Sequence, residues 1–353
     1  MFFSKIKHGL IFIRDIFLQK LYRPFIQSEL PLTKEKNLAL IHLLRKNKYK
    51  LNLFAPAKNE NCVIVYMEGD HIAGLADRLR TIRTAYVCAA ISNKRFFIYH
   101  NVNNFKLEEY LIPHKIDWRI NKNEIDFCIK NISFCYNYRT IPTVNHPKEV
   151  HVYTSNGIIA EMNNAESFPL LTDNAVHHLL FKPSSYLEQM LEQVMNENEL
   201  SENDYIAFHL RFLNFFEPVE INGRVTATPE EQLQMMQDVH HVIDKVYQSS
   251  GIKNVVIFSD SNRFLNSKHP EYIKHLPGVV GHISKHSDKQ ITDKTFIDLF
   301  VMSKAKAIYS IRGKNIYGGG FSREAAIIGN KPFIEVPLKE GDHQGFIGTY
   351  GND

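Results

Sequence analysis

The chain has 353 residues, 44% of them hydrophobic and 23% charged, with a formal net charge of +4. That length exceeds one ordinary domain and predicts two, and the hydrophobic fraction belongs to a folded globular protein, not a disordered one. So mild a positive charge suits anionic ligands but excludes the basicity of a nucleic-acid binder.

Residues 1–25 mix apolar side chains such as Phe12, Ile13 and Phe17 with Lys5, Lys7, Arg14, Lys20 and Arg23. Arg14 and Asp15 interrupt the apolar run, so the segment cannot span a bilayer, and no small-residue cleavage site follows it. It reads as a basic amphipathic helix on an anionic membrane surface, or as a first helix packed on the body of the protein. A short helix and a polar turn are expected over Leu38–Leu53, which makes residues 1–50 an N-terminal basic, amphipathic segment.

Cys62–Met67 is a short apolar run with β-branched residues, the pattern of a strand buried on both faces. It leads into a turn carrying Gly69, Asp70, His71 and Gly74, from which a helix is predicted through Ala90. Arg95–Tyr99 is the next strand, which completes a βαβ unit. Arg78, Arg80 and Arg83 on the helix read as a solvated basic face, or as phosphate contacts. His151–Thr154 predicts a strand and Ser185–Asn196 a helix. The polar, acidic run Asn196–Asn203 is the expected boundary between a domain over residues 51–198 and another over residues 199–353.

Tyr205–Arg211 predicts a buried strand. Thr228-Pro229-Glu230-Glu231 has an N-cap threonine, a proline at the first helical position and acids in the first turn, so a helix runs from there to about Ser249. Val255–Phe258 is a strand ending at Ser259-Asp260, and Gly278–Gly281 a weaker one. Thr295–Ser303 predicts a helix, Ala307–Ser310 a strand, Phe321–Ile328 a helix, and Phe333–Val336 the strand that closes the sheet. Strands alternating with helices define an α/β protein with parallel, doubly wound sheets. The four cysteines (Cys62, Cys88, Cys128, Cys135) form no CxxC pair and suit buried thiols in a reducing cytoplasm, with a Cys128–Cys135 disulfide as the alternative.

The chemistry gathers at strand ends. His209 and Arg211, two apart on a strand, face the same way, so one strand end offers an imidazole for a base or sugar and a guanidinium for a phosphate. The plainer reading is two surface polar residues. Gly74 at a helix start lets backbone N–H groups approach a phosphate, or marks an ordinary strand-to-helix turn. Gly318-Gly319-Gly320 before Ser322 and Arg323 reads as a second phosphate cradle or as a loop that orders on ligand binding. Asp298 lies among apolar neighbours on its helix and is expected to have a partner, such as a guanine edge, or to face water. Other chemistries are set aside: the sequence has no HExxH, no GxSxG and no Asp-x-Asp, and His177-His178 and His240-His241 are adjacent on helices and so do not share a face. A metal-free site would place diphosphate charge on arginine and helix termini.

Together these segments resemble the superfamily of GDP-fucose-dependent fucosyltransferases, which includes α1,2-, α1,6- and protein O-fucosyltransferases. Gly74-Leu75-Ala76-Asp77-Arg78-Leu79-Arg80 is similar to its early Gly-x-Gly-Asp/Asn loop, with Ala76 where a second glycine is usual. Phe208-His209-Leu210-Arg211 is similar to its His-x-Arg motif, though Phe212-Leu213-Asn214-Phe215-Phe216-Glu217 stands where an arginine-rich continuation is usual. The stretch from Asp298 to Ser322-Arg323 is similar to its late motif, and Phe258-Ser259-Asp260 to a strand end between the last two. The resemblance implies two facing Rossmann-like domains of the GT-B type, the donor held mainly by the second. It implies that His209 and Asp298 bind guanine, and that Arg211 binds the β-phosphate with help from Gly74 and from Ser322 or a neighbour. Asp77, Arg78, Asp260, Gly320 and Arg323 complete the expected donor contacts. Transfer would invert configuration and need neither metal nor cofactor. Glu217, Glu220 and Asp77 are the candidate bases for an acceptor hydroxyl.

The expected activity is therefore transfer of fucose from GDP-fucose to a saccharide in polysaccharide biosynthesis, at a cytoplasmic location, peripheral on the inner membrane face if residues 1–25 bind lipid. Another GDP-sugar as donor, or a non-catalytic nucleotide- or carbohydrate-binding protein, are the rival readings.

Overall fold

The computed structural model of the chain describes residues 49–50, 52–69, 73–102, 105–135, 149–152, 172–218, 224–283 and 288–339. The expectations for residues 1–25 and for Glu220, Asp70 and His71 lie outside them. The chain divides into two compact units, residues 1–71, 77–102 and 113–172, and residues 72–76, 103–112 and 173–353.

The first unit is built on the predicted βαβ. β1 (Cys62–Gly69) pairs in parallel with β2 (Arg95–Val102) across their full length, from Cys62↔Arg95 to Gly69↔Val102. Between them runs α1 (Leu75–Ile91), whose buried Leu75, Leu79, Ile82, Ala85 and Ala89 recur every three or four residues and form its apolar stripe. The short β3 (Phe105–Lys106) and β4 (Leu111–Pro113) follow in the chain, but residues 103–112 belong to the second unit. Two further parallel strands, β5 (Ile132–Cys135) and β6 (Glu149–Val152), extend the order to β2-β1-β6-β5. The fully buried pair on β6 is satisfied: Glu149 bonds His151 at 2.5 Å and accepts Asn59 Nδ2 at 2.9 Å.

The solvated basic face expected of α1 is not what forms. Arg78 and Arg83 are each 1% exposed, and burial brings the Arg78 guanidinium down to about 10. Arg78 Nη1 lies 3.3 Å from His100 Nε2 on β2. An arginine's long stem lets it occupy an apolar face, so helical spacing by itself does not place it in water.

The second unit continues with α2 (Asp173–Leu180), β7 (Phe181–Pro183), which pairs with β4, and α3 (Ser185–Glu197). The run expected as a domain boundary thus lies within this unit. It is a helix end and turn: Leu200 is buried, its N–H bonds Met195 O at 2.8 Å, and the Asn203 N–H bonds Lys304 O at 2.9 Å. Polar turn formers look the same in a linker and in a tight helix-to-strand turn.

Then come β8 (Tyr205–Leu210), α4 (Pro229–Ser250), β9 (Asn254–Ser259), α5 (Asn262–Leu265) and β10 (Ile273–His275). They are followed by α6 (Lys289–Ser303), β11 (Ala307–Arg312), α7 (Gly320–Gly329) and β12 (Phe333–Pro337). The sheet order is β10-β9-β8-β11-β12, all parallel, a doubly wound Rossmann-like arrangement. Thr228 caps α4 and Pro229 stands in its first turn, as read, and Glu231 completes a capping box.

The strand expected at Gly278–Gly281 does not form; β10 lies upstream. Gly278 has φ +103°, outside the range of any strand, and Val280 makes both its backbone bonds to the Asn262 side chain. α6 begins six residues before the predicted start because Asp288 caps it, accepting from Gln290 N at 2.8 Å. Cys62, Cys88 and Cys128 are buried free thiols, so the alternative Cys128–Cys135 disulfide is absent. Among the described residues no helix is long and apolar enough to cross a membrane.

Candidate functional site

In a doubly wound sheet, ligands bind beyond the carboxyl ends of the strands at the point where the winding reverses. Here that point lies between β8 and β11. His209 and Arg211 stand at the end of β8, and Ser310 and Arg312 at the end of β11. His209 and Ser310 are register partners. Period-two alternation puts all four side chains on one face of the sheet.

The glycine loop comes down on this face. A Cβ on Gly319 would stand 3.1 Å from His209 Cε1 and 3.7 Å from Arg211 Cδ, and one on Gly318 would fall 1.1 Å from Arg312 Nη1. A methyl at Gly318 would displace the end of the Arg312 side chain, and one at Gly319 would press on the His209 ring by a few tenths of an ångström.

The loop opens α7, whose N-cap, Gly319, has no side chain to satisfy the first helical N–H groups. Three side-chain atoms on these elements are also buried with no hydrogen-bond partner: His209 Nδ1 on β8, Ser310 Oγ on β11 and Ser322 Oγ in the first turn of α7. Their residues are 7%, 1% and 0% exposed. Buried polar atoms are normally bonded, so three orphans beside an uncapped helix start leave bonding capacity that a polar ligand could fill. Burial, and then the guanidinium groups of Arg211 and Arg312, push the His209 imidazole down to about 3. It is neutral at physiological pH and has one donor and one acceptor nitrogen.

The early loop reaches the same place. A Cβ on Gly320 would be 3.7 Å from Ala76 Cβ, and one on Gly74 would be 3.6 Å from His282 Nε2. The Gly74–Ala76 turn therefore lies beside the start of α7, in the same unit. Ala76 makes an ordinary contact there.

Other expected residues have different surroundings. Asp298 does not face water: it is buried on α6 and bonded to Lys294 Nζ one turn earlier. Burial raises its carboxyl above the usual range, while Lys294 pulls the other way. Asp260 accepts the backbone N–H groups of Phe212 at 2.8 Å and Leu213 at 2.9 Å, one on each oxygen, and so shapes the turn after Arg211. Burial nonetheless raises it to about 6. Phe212, Phe215 and Phe216, in the stretch that follows Arg211, are buried; the Phe212 ring packs 4.8 Å from that of Phe264. Glu217 accepts from Arg263 N at 3.1 Å, and Asp77 is paired with Arg80. Arg323 lies over the Phe333 ring at 5.0 Å, and 3.7 Å from Glu335. Among the described residues no three His, Cys, Asp or Glu side chains gather for a metal ion.

Sequence reading missed Ser310 and Arg312. The signal was present: Tyr309-Ser310-Ile311-Arg312 repeats the polar spacing of Phe208-His209-Leu210-Arg211.

No protein-family profile and no curated protein matches this sequence. Solved structures do. A mutant of Arabidopsis thaliana FUT1 in complex with GDP superposes with a TM-score of 0.51 at 9% identity, over 91% of this chain and 78% of that one. Fucosyltransferase NodZ from Bradyrhizobium gives 0.47 at 13% identity, over 76% and 92% of the two chains. POFUT1 in complex with GDP gives 0.41 at 14%, over 78% and 98%. The first score establishes a shared fold; the lower two add nothing to it. The resemblance drawn from three short motifs is borne out at the level of fold: the chain has the Rossmann-like α/β fold, of GT-B type, seen in a fucosyltransferase.

Proposed function

We propose that the protein is a glycosyltransferase that takes fucose from GDP-fucose and transfers it, with inversion, to a hydroxyl of a saccharide acceptor. The observation that carries this reading is the group of orphaned polar atoms at the β8–β11 switch point, under an uncapped helix start and beside Arg211. The fold, and the similarity to a fucosyltransferase in complex with GDP, support the choice of nucleotide.

In this reading the acceptor oxygen bonds to the anomeric carbon as the bond from that carbon to the β-phosphate oxygen breaks. The bonding pair leaves with GDP. Arg211 and the first N–H groups of α7 offset the charge gathering on the departing diphosphate, with no metal invoked. His209 and Asp298 hold the guanine; Gly74 and Gly320 let backbone approach the phosphates, and Ser322 adds a hydroxyl. Asp260 positions Arg211 by fixing the turn behind it. The acceptor proton goes to a carboxylate, for which Glu217, Glu220 and Asp77 are the candidates. Residues 1–25 would hold the enzyme near a lipid-linked or surface glycan.

The test is GDP release from GDP-fucose with a panel of saccharide acceptors, and glycan products read by mass spectrometry. Arg211→Ala should lose about 100-fold or more in turnover while remaining folded, the scale of removing one charge-stabilising donor. Turnover near wild type would refute the role of Arg211. Nucleotide binding without any product would indicate a binding protein.

A further inference from the structure

Arg312 has no part in the reading above, yet its surroundings are built. It ends β11 as Arg211 ends β8, on the adjacent strand and on the same face. Its guanidinium occupies the space that a Cβ on Gly318 would take, so the glycine loop is folded around it. Its present partner is a carboxylate from the next strand: Arg312 Nε donates to Glu335 Oε1 at 3.1 Å and Nη2 donates to the same oxygen. Glu335 is the register partner of Ser310, which in turn is the register partner of His209. The row His209, Ser310, Glu335 therefore crosses three strands, with Arg211 and Arg312 one step further along the first two.

One carboxylate oxygen taking two N–H groups of a guanidinium occupies the place of a phosphate oxygen, since arginine grips both anions with the same fork. The pair is partly exposed, 27% and 40% at its two side chains, and such pairs are weak and readily exchanged. A diphosphate, by contrast, carries more charge than Arg211 alone offsets.

We propose that Arg312 is a second diphosphate-binding residue, and that Glu335 is an internal anion that holds its guanidinium over Gly318 until a diphosphate displaces it. This rests on the nucleotide-diphosphate reading of the site and adds to it a clamp of two arginines with a built-in competitor. The competitor gives the proposal its signature. Removing Arg312 weakens diphosphate binding, whereas neutralising Glu335 strengthens it. A purely structural ion pair would give the same sign for both.

The experiment is titration calorimetry of the full chain with GDP and, separately, with inorganic pyrophosphate, using wild type, Arg312→Gln, Arg312→Lys, Glu335→Gln and Gly318→Ala. Thermal unfolding serves as the control for folding. Arg312→Gln should weaken both ligands about tenfold, and Arg312→Lys less, because the charge remains while the fork is lost. Gly318→Ala, which evicts the guanidinium without removing it, should reproduce Arg312→Gln. Glu335→Gln should tighten both ligands severalfold. Unchanged affinities in Arg312→Gln, or equal weakening in Arg312→Gln and Glu335→Gln, would overturn the clamp and leave the GDP-sugar reading standing. Should Arg312→Gln fail to fold, Gly318→Ala and Glu335→Gln decide by their opposite signs. Wild type that binds pyrophosphate but not GDP would sink the nucleotide reading and leave the clamp to be judged on pyrophosphate. Wild type that binds neither would sink both.

Discussion

Replacing His209 by glutamine tests whether this imidazole is kept neutral by its place in the fold. Its ordinary value is 6.5, and in the folded protein burial and two nearby guanidinium groups bring it to about 3. Below pH 3 the imidazole is protonated whether or not the chain is folded, and above 6.5 it is neutral in both states. Between these limits the unfolded chain binds a proton that the native chain refuses, so stability falls as pH falls through this window. At about 1.4 kcal/mol per pH unit, roughly 2 kcal/mol is lost between pH 7 and pH 5, and roughly 4–5 kcal/mol over the whole window. Urea unfolding followed by circular dichroism, run on wild type and His209→Gln at the same pH values, isolates this contribution, because other titrations cancel in the difference. Wild type should lose about 2 kcal/mol more than the variant between pH 7 and pH 5. An imidazole proton titrating near 6.5 by NMR, or parallel stability curves for the two proteins, would refute the reasoning. Burial dominates the displacement, so Arg211→Ala should recover only part of it.

Three further perturbations have definite outcomes. Lys294→Met leaves the Asp298 carboxylate buried without its cation, so unfolding measurements should show a loss of about 3–5 kcal/mol, most of it recovered when Asp298→Leu is added. Gly319→Ala drives a methyl to 3.1 Å from His209 Cε1; GDP affinity by calorimetry should fall while the melting temperature changes little. Thr228→Ala removes the side chain that accepts from Glu231 N at 3.2 Å, which should cost about 1 kcal/mol by denaturant titration and leave GDP affinity as in wild type.

The alternation of strands and helices was legible because fully buried parallel strands are written as short apolar runs, and β1, β8, β9 and β11 all are. The errors fell where backbone bonding decides the structure. Gly278–Gly281 has the composition of a strand but a dihedral that only a loop can use, and its bonds go to Asn262. The start of α6 was missed because its first turns are polar, and the cap at Asp288 precedes the apolar run by several residues. The arginines of α1 read as a solvated face or as phosphate contacts, whereas Arg78 lies against His100; a helical pattern fixes which residues share a face, but not how far a long side chain folds back under it.

For the site, spacing carried more than residue type. His209 and Arg211 could be placed on one face from the sequence alone, since alternation along a strand is local. Ser310 and Arg312 could not be joined to them in that way. Their relation depends on which strands are neighbours and in what register, and β8 and β11 are separated in the chain by two other strands of the same sheet. Once the order is known, the pairing of His209 with Ser310 turns two separate strand ends into one array. The reason for consecutive glycines at 318 and 319 then becomes specific: a methyl at 318 would displace the Arg312 guanidinium, and one at 319 would press on the His209 ring. A glycine run read as a phosphate cradle, or as a loop that orders on ligand binding, lies close over two particular groups. It follows that the loop is held near the sheet by what lies beneath it, and that substitutions within it act first on Arg312 and His209.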